Sequence, residues 1–266
     1  RDTGSMTSHV DVLVVAAMAE EAAAVSSLCT DLRAVAHPFA GGGKGRGAGA
    51  SGEVSASVGT LECAGSGAQG SDACQAPVAL VTTGVGTAAA SAVLAWAVGE
   101  FSPRLIVNVG SCGGLAEDIA VGTVAVGSSY AYSIAEATAF GYETGQVPGA
   151  PTQFGGEECE GRARRALEAV ESAGLPARSG LMLSGDAFVT ADIADGMRAK
   201  FPGAITADME SCAFAHVAHL MQVPFLALRA VSDLCSPRAN EEFHIGLEVA
   251  AQASAQALAQ ALPALR

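Results

Sequence analysis

The chain has 266 residues, of which 50% are hydrophobic and only 15% are charged, and it carries a net charge of −13 at pH 7. This acidic balance argues against a nucleic-acid or anionic-membrane partner, since both select for a basic surface. The length allows one large domain or two small ones, and the composition is typical of an α/β fold whose strands are covered on both faces.

The seven cysteines are scattered, odd in number and without a C-x-x-C pair. This usage favours buried thiols in a reducing cytosol over a disulfide framework or a zinc site. No apolar run reaches the length of a membrane span, and no signal-peptide core opens the chain. Residues 1–5 resemble an expression scar before Met6, so we expect a cytoplasmic protein with a single domain over residues 6–266.

Short continuous apolar runs predict the strands of the first half of the chain. These runs cover Val10–Ala17, Pro77–Thr83 and Arg104–Val109, and helical patterns over Glu21–Leu28 and Thr87–Val98 follow the first two. Glycines come directly after the second and third runs, and they permit the backbone to approach a ligand closely.

Residues 34–76 form an insertion that contains the Gly-rich run GGGKGRGAGASG. The run lacks the G-x-x-x-x-G-K-[ST] spacing of a phosphate loop, and its composition is typical of a mobile surface loop. Within the insertion, residues 52–64 alternate enough to predict a strand or hairpin.

In the second half, strands and helices continue to alternate, which predicts a mixed or mostly parallel sheet with helices on both faces. The predicted strands are Val121–Ser128, Arg178–Ser184 and Val223–Leu228, and the predicted helices are Glu157–Ala173, Asp192–Lys200, Ser211–Met221 and Glu241–Ala261.

Carboxylates stand where several predicted elements end. Glu21 follows the first strand, Asp208 and Glu210 precede a helix, and Asp233 follows the last strand. Ligands in open α/β sheets bind outside the carboxyl ends of the strands, so these residues are placed like site residues. Each also has a local interpretation: Asp233 as a helix N-cap, Glu21 as a partner of the helix dipole, and Glu210 as a solvated side chain.

Two other groups are weaker candidates for a site. His216 and His219 share one helical face at a spacing that metal ligands use, but no third ligand is apparent, and structural histidines are the favoured interpretation. Cys112 follows a strand without a histidine at a recognisable partner position, so a small packed residue is favoured over a catalytic thiol.

A series of motifs occurs in order along the chain: AMAEE, VGSCGG, ATAFGYETGQVP, SGDAFV, DMES and VPFLALRAVSD. Together they resemble the 5′-methylthioadenosine/S-adenosylhomocysteine nucleosidase branch of the nucleoside phosphorylase and nucleosidase superfamily. The resemblance covers residues 10–261 apart from the insertion. It implies an α/β fold, a three-layer α/β/α sandwich with a central mixed, mostly parallel sheet.

Cleavage of an N-glycosidic bond to adenine requires a proton for the leaving base, tolerance of oxocarbenium-like charge and a water aimed at the anomeric carbon. Burial can keep a carboxylic acid protonated near neutral pH, and Asp233 is the candidate acid, positioned by Ser232 and Arg229. Glu210 is the candidate for gripping the ribose hydroxyls. The resemblance places Glu21 beside the attacking water. Carboxylates without a metal suffice for such hydrolysis, and we expect no metal and no cofactor.

The resemblance also implies which residues surround an adenosyl thionucleoside. Phe188 would stack on adenine, Val85 would lie near the 5′ substituent, and Phe140 and Pro148 would cap the neighbour's pocket in a homodimer. The remaining substrate-binding residues that it implies are Met18, Ser111, Cys112, Gly113, Val189, Asp208, Met209, Arg229, Ser232 and Phe243.

The chain departs from the family's pattern at three places. Asp208 stands where the family commonly has Glu, and Ala19 stands where it has the first Glu of AMEEE. Residues 133–136 replace its frequent HDAD. Asp208 affects contacts within the site, and residues 133–136 affect polar contacts at the expected dimer interface.

Other functions remain open at this point. The adenosyl part is shared by 5′-deoxyadenosine and 6-amino-6-deoxyfutalosine, which are alternative substrates. A purine nucleoside phosphorylase is disfavoured because the loops TTGVGTAA and NVGSCGG contain no arginine for phosphate. A non-catalytic adenosyl-binding relative is disfavoured because Glu21, Glu210 and Asp233 are all present.

Overall fold

In the computed structural model, which describes residues 9–39, 54–64 and 74–266, nine strands form one sheet that six α-helices cover. The strands are β1 Val12–Ala16, β2 Cys29–Ala34, β3 Ser55–Glu62, β4 Gln75–Thr82, β5 Leu105–Gly114, β6 Val124–Tyr132, β7 Ala177–Ser184, β8 Ala204–Asp208 and β9 Phe225–Asp233. The helices are α1 Ala19–Ser26, α2 Thr87–Phe101, α3 Glu157–Ser172, α4 Ala191–Lys200, α5 Ser211–Met221 and α6 Ala239–Leu265, and a 3₁₀ turn spans Thr138–Phe140.

The strand order in the sheet is β2-β3-β4-β1-β5-β8-β7-β6-β9, and β9 also pairs with β5. The sheet therefore closes on itself over β5, β8, β7, β6 and β9. Five of the pairings are parallel, namely β1–β4, β1–β5, β5–β9, β6–β7 and β7–β8. The others are antiparallel. The prediction of a mixed, mostly parallel sheet is confirmed, and the closure is a feature that the sequence did not predict.

Helices pack on both faces of the sheet, as predicted for a three-layer sandwich. On one face, α6 packs against α1 and α3, and on the other α2 packs against α5. Every residue of β1 is buried between these layers, because the strand is a continuous apolar run without a solvent-facing side. None of the described helices is long and apolar enough to cross a membrane.

Most predicted elements are present with shifted ends, and Ser211–Met221 is a helix over the predicted range. Three strands continue past their predicted last residues, and β6 does so from Ser128 to Tyr132. β5 continues from Val109 to Gly114, and β9 continues from Leu228 to Asp233, because the two segments pair with each other in parallel. Their polar and glycine residues do not look like strand in the sequence, yet the ladder extends through them.

The insertion is described only in part. A strand within residues 52–64 is confirmed as β3, which pairs antiparallel with β4. The strand β2 was not predicted, because it lies at the sheet edge and its pattern alternates between half-buried and exposed. The Gly-rich run and residues 1–5 lie outside the described residues.

Two glycines offer a matched test of the packing. Gly196 lies in the interior of α4, and a Cβ added there would meet nothing within 4 Å. A Cβ added at Gly180 in β7 would lie 2.8 Å from Cγ2 of the buried Ile205. We expect Gly196→Ala to raise the free energy of unfolding by about 0.5–1 kcal/mol, since Gly costs helices conformational entropy.

Gly180→Ala should instead lower the free energy of unfolding by about 1–3 kcal/mol, because the added methyl group overpacks the site. Urea denaturation of both variants checks the pair. A destabilised Gly196→Ala or an unchanged Gly180→Ala would contradict the packing described above.

Candidate active site

A cavity of about 100 Å³ lies where β1, β5, β8 and β9 end. It gathers residues from parts of the chain that are far apart in sequence. Its lining consists of Ala17, Met18, Glu21, Val85, Ser111, Cys112, Gly113, Phe188, Ala207, Asp208, Met209, Glu210, Arg229, Ser232, Asp233 and Phe243. The structure therefore brings together the predicted site residues except Phe140, Pro148 and Val189.

Arg229 is a buried cation at the floor of this cavity. Its guanidinium lies 3.2 Å from Glu210 Oε2, 3.8 Å from Glu21 Oε1 and 3.9 Å from Asp208 Oδ2. Its Nε donates to the carbonyl oxygen of Ser111 at 2.7 Å. One cation thus faces three buried carboxylates, and such groups stay buried only when they are paired and hydrogen-bonded.

Glu210 reaches the cavity from the turn before α5. Its Oε1 accepts a hydrogen bond from the backbone N–H of Gly86 at 2.9 Å, and its Oε2 accepts one from Arg229. Burial raises the pKa of Glu210 to about 7; Arg229 opposes this rise, and Asp208 adds to it. The side chain is 2% exposed, so the interpretation as a solvated side chain is wrong.

Glu21 is held by four donors. Oε2 accepts from the N–H groups of Ala17 and Met18, at 3.0 and 3.1 Å. Oε1 accepts from the N–H and the hydroxyl of Ser111, at 2.8 and 2.9 Å. The first two bonds fit a local role at the start of α1. The bonds to Ser111 join α1 to β5 and hold the carboxylate at the cavity.

The close approach of Glu21 depends on Gly110. A Cβ at this position would lie 2.5 Å from Cδ of Glu21, and the backbone of Gly110 has a φ of +130°. Both facts require glycine. The glycine after the third predicted strand therefore serves the approach of a carboxylate side chain.

Asp233 is the last residue of β9 and is buried. Its Oδ2 accepts from the hydroxyl of Ser232 at 2.9 Å, and its Oδ1 accepts from the N–H of Cys235 at 3.1 Å. Burial raises the pKa of Asp233, while these two hydrogen bonds oppose the rise. The interpretation as a helix N-cap is wrong, because α6 begins only at Ala239.

Asp208 has its oxygens engaged by the protein. Oδ1 accepts from the Ser184 hydroxyl at 2.8 Å and from the N–H groups of Glu210 and Ser211 at 2.8 and 2.7 Å. Oδ2 accepts from the Ser211 hydroxyl at 2.6 Å. The shorter acid therefore fixes the turn that carries Met209 and Glu210.

Aromatic and apolar side chains form the other wall of the cavity. Phe188 and Phe243 meet edge to face, with ring centroids 5.7 Å apart and an interplanar angle of 78°. Val85 and Phe188 are 39% and 42% exposed. This wall offers rings and methyl groups to an apolar or aromatic ligand.

The weaker candidates have structural surroundings. Burial raises the pKa of the Cys112 thiol well above its ordinary value, which disfavours the thiolate that a nucleophile needs. His216 stacks on Phe154 at 4.5 Å between ring centroids and shares a 3.1 Å hydrogen bond with Tyr132. Both support the packed roles favoured from the sequence.

Three predicted residues lie outside this cavity. Phe140 is 85% exposed on the 3₁₀ turn, and Pro148 is also exposed. Neither lines the cavity of its own chain. The side chain of Val189 is buried in an apolar cluster with Leu183 and Met197, so a contact with the ligand would have to come from its backbone.

Asn108 supports the site and was not predicted from the sequence. Asn108 is fully buried within β5, where its Nδ2 donates to the Val15 carbonyl at 3.1 Å. Its Oδ1 accepts from the Ser211 hydroxyl at 2.9 Å and from Arg229 at 3.1 Å. An amide inside an apolar strand must find partners, and Asn108 within LIVNV was the available signal.

Comparisons with known proteins identify the family and the fold of the chain. The sequence model of the Phosphorylase superfamily matches residues 11–263. A 5′-methylthioadenosine/S-adenosylhomocysteine nucleosidase from Neisseria meningitidis, solved with methylthio-immucillin-A, is 29% identical with a TM-score of 0.80, over 94% of this chain and 97% of that one. A nucleosidase of the same name from Colwellia psychrerythraea, solved with adenine, is 27% identical with a TM-score of 0.81, over 97% of both chains.

A third structure, futalosine hydrolase of Helicobacter pylori, shares the fold at 18% identity, with a TM-score of 0.78 over 97% of this chain and 98% of that one. The resemblance inferred from the motifs is thus confirmed. Because the family match runs through every segment that lines the cavity, the chain belongs to the phosphorylase superfamily.

Proposed function

We propose that the protein hydrolyses the N-glycosidic bond of 5′-methylthioadenosine and S-adenosylhomocysteine, releasing adenine and the 5′-thioribose. The observation that carries this proposal is the convergence of Glu21, Glu210 and Asp233 on one cavity, each in a different electrostatic setting. The nucleosidase neighbours solved with adenine and with a nucleoside analogue support the same substrate class.

Asp233 would act on the leaving base. Its raised pKa favours the neutral acid, which can donate a proton or a hydrogen bond to N7 of adenine. The Ser232 hydroxyl is bound to Oδ2 and also reaches the Cys112 carbonyl oxygen at 3.3 Å. These contacts fix the rotamer of the acid, and Phe188 lies where a flat base could stack.

Glu210 would bind the ribose hydroxyls. As an ionised carboxylate it stabilises positive charge that develops on the sugar, and this charge is greatest in the transition state. Gly86 and Arg229 hold its two oxygens from different sides. Glu210 can therefore meet the sugar without reorganisation, and Met209 packs beside it in the cavity.

Glu21 would orient the attacking water. Its four acceptor sites are already filled by protein donors, and a carboxylate has about four such sites. Three of the donors are backbone N–H groups, whereas the Ser111 hydroxyl can rotate. A water therefore enters by displacing or bridging that hydroxyl, which keeps Ser111 beside the nucleophile.

A phosphorylase is less well supported by the same geometry. Among the described residues that line the cavity, Arg229 alone is cationic, and carboxylates already surround it. Phosphate would meet Glu21 and Glu210, and none of the described lining residues offers it a free arginine or lysine. The apolar wall of Val85, Phe188 and Phe243 suits an alkylthio group. The same contacts to an adenosyl part would also accept 5′-deoxyadenosine or 6-amino-6-deoxyfutalosine.

The first test of the proposed function is the identity of the products. Incubation with 5′-methylthioadenosine should release adenine and free methylthioribose at a rate that does not depend on phosphate, measured by chromatography. A sugar 1-phosphate that forms only with phosphate would overturn the hydrolase proposal. Asp233→Asn is the matched control, since it keeps the shape but loses the acid. We expect a loss of about 10²–10⁴-fold in turnover with adenine binding retained.

The second prediction concerns pH. Because the pKa of Glu210 is raised to about 7, Glu210 gains a proton as the pH falls through that value and loses its charge stabilisation. We expect kcat/KM to fall about tenfold per pH unit below pH 7, since this ratio reports free-enzyme groups; a fall at higher pH would belong to the acid Asp233 and not to Glu210. Glu210→Gln should have a low rate without that acidic limb. A limb that persists in this variant would assign it to another group.

The third prediction concerns assembly. We propose a homodimer in which Phe140 and Pro148 complete the neighbour's pocket, because an exposed aromatic ring on a turn outside its own cavity suits a partner surface. Phe140→Ala should raise KM for 5′-methylthioadenosine by about tenfold, the cost of a lost apolar contact. The exposed Ile193→Ala on α4 serves as the control. A fully active monomer by light scattering would contradict the dimer.

A further inference from the structure

A carboxylate outside the cavity joins two loops that enter it. Asp186 lies in the loop after β7, and Thr87 is the first residue of α2. The N–H of Thr87 donates to Asp186 Oδ1 at 2.7 Å, and its hydroxyl donates to Asp186 Oδ2 at 2.7 Å. Both oxygens of one carboxylate are therefore used on one residue from a distant part of the chain.

The start of α2 explains why this contact forms. Helix N-termini leave N–H groups without intrahelical partners, and a side chain of the N-cap residue usually accepts from them. Here the N-cap is Gly86, which has no side chain and a φ of +98°. Asp186 supplies the missing acceptor from another loop, and its negative charge suits the helix dipole.

Gly86 fits closely against Asp186. A Cβ at this position would lie 3.0 Å from Asp186 Oδ1. On its other side, the N–H of Gly86 donates to Glu210 Oε1. A single glycine thus lies between the carboxylate outside the cavity and the carboxylate proposed to bind the ribose.

Each of the joined loops places a side chain in the cavity. Val85 immediately precedes Gly86, and Phe188 follows Asp186 by two residues; both line the cavity and are partly exposed. The Asp186–Thr87 contact therefore sets the distance between Phe188, proposed to stack on the base, and the turn at Gly86, whose N–H binds Glu210.

We propose that Asp186 is a positioning residue for the reaction, acting through Thr87 and Gly86 to hold the Gly86 N–H on Glu210 and to hold Phe188 opposite Val85. The expected effect on kcat/KM rests on the proposed function. Asp186 itself is exposed, so its substitution costs the fold no more than the loss of a helix cap, and we expect the main loss in kcat/KM.

The decisive comparison is Asp186→Ala against Asp186→Asn. Alanine removes both hydrogen bonds. Asparagine loses the same charge, but its Oδ1 still accepts from the Thr87 N–H and its Nδ2 donates to the Thr87 hydroxyl, which can turn to accept. We expect kcat/KM for 5′-methylthioadenosine to fall about tenfold or more in Asp186→Ala and to stay within about threefold in Asp186→Asn. Equal losses in the two variants would overturn the proposal.

A second pair tests the partner and remains informative if Asp186→Ala fails to fold. Thr87→Val removes the hydroxyl while keeping the shape, and Thr87→Ser keeps the hydroxyl. Thr87→Val should lower kcat/KM by several fold and Thr87→Ser should not. In the Asp186→Ala background, Thr87→Val should add almost nothing, because the contact is already broken. Additive losses would mean that the two residues act separately.

The pH profile separates positioning from a general loss of structure. The Gly86 N–H stabilises ionised Glu210, and the charged groups Arg229, Asp208 and Glu21 around Glu210 are unchanged by the substitution. If Asp186→Ala lets this N–H drift, the pKa of Glu210 rises and the acidic limb of kcat/KM moves to higher pH. Asp186→Asn should keep the wild-type limb. A lower rate with an unmoved limb would overturn the route through Gly86.

Adenine binding, measured by calorimetry, distinguishes failure of this inference from failure of the proposed function. If the wild type is active and Asp186→Ala and Asp186→Asn have the same kcat/KM, the positioning role of Asp186 is overturned and the proposed function stands. Inactive wild type that binds adenine overturns the nucleosidase, and the positioning role then requires weaker adenine binding in Asp186→Ala than in Asp186→Asn. Wild type that neither cleaves nor binds overturns both.

Discussion

The buried ion cluster around Arg229 is the constraint on which the rest of the site depends. One guanidinium lies within 4 Å of Glu21, Asp208 and Glu210, so the floor of the cavity holds more negative than positive charge. Removing such groups from water is costly and is offset only by close pairing and hydrogen bonds. Within this excess, Asp208 and Glu21 raise the pKa of Glu210, whereas Arg229 and the Gly86 N–H lower it, so burial remains the main cause of the rise. The excess of negative charge favours a substrate that becomes positively charged as it reacts. The groups that are costly to bury are therefore the ones that would stabilise this charge.

Glycines in the backbone around this cluster leave room for side chains to approach one another closely. β5 runs through Gly110 and Gly113, where a Cβ would lie 2.5 Å from Glu21 and 2.6 Å from the Cys235 sulfur respectively. Glycine weakens a strand interior, and here the loss permits Glu21 from α1 and Asp233 from β9 to reach one cavity. Local strand stability is reduced where the site needs space, a pattern expected at functional sites.

Much of this arrangement could be predicted from the sequence, because apolar runs mark buried strands and acids after them mark a site edge. Residues 12–16 and 225–228 are examples in which the apolar pattern and the final strand agree. The closure of the sheet could not be predicted, because the pairing of β9 with both β5 and β6 joins segments that no local periodicity relates. Asp186 and Asn108 were missed for the same reason: their partners, Thr87 and Arg229, are distant in sequence. β2 was missed because an edge strand half open to solvent lacks an apolar run.

The closed part of the sheet has a consequence for how the protein loses activity. Arg229 and Asp233 lie on β9, which pairs with β5 from Phe225 to Asp233 and with β6 over Leu228–Ala230. The segment around Arg229 therefore lies between two ladders, and it separates from the sheet only when both ladders break. Fluctuations of the loops around the cavity leave this segment in place. We therefore expect loss of the proposed activity and global unfolding to coincide on heating.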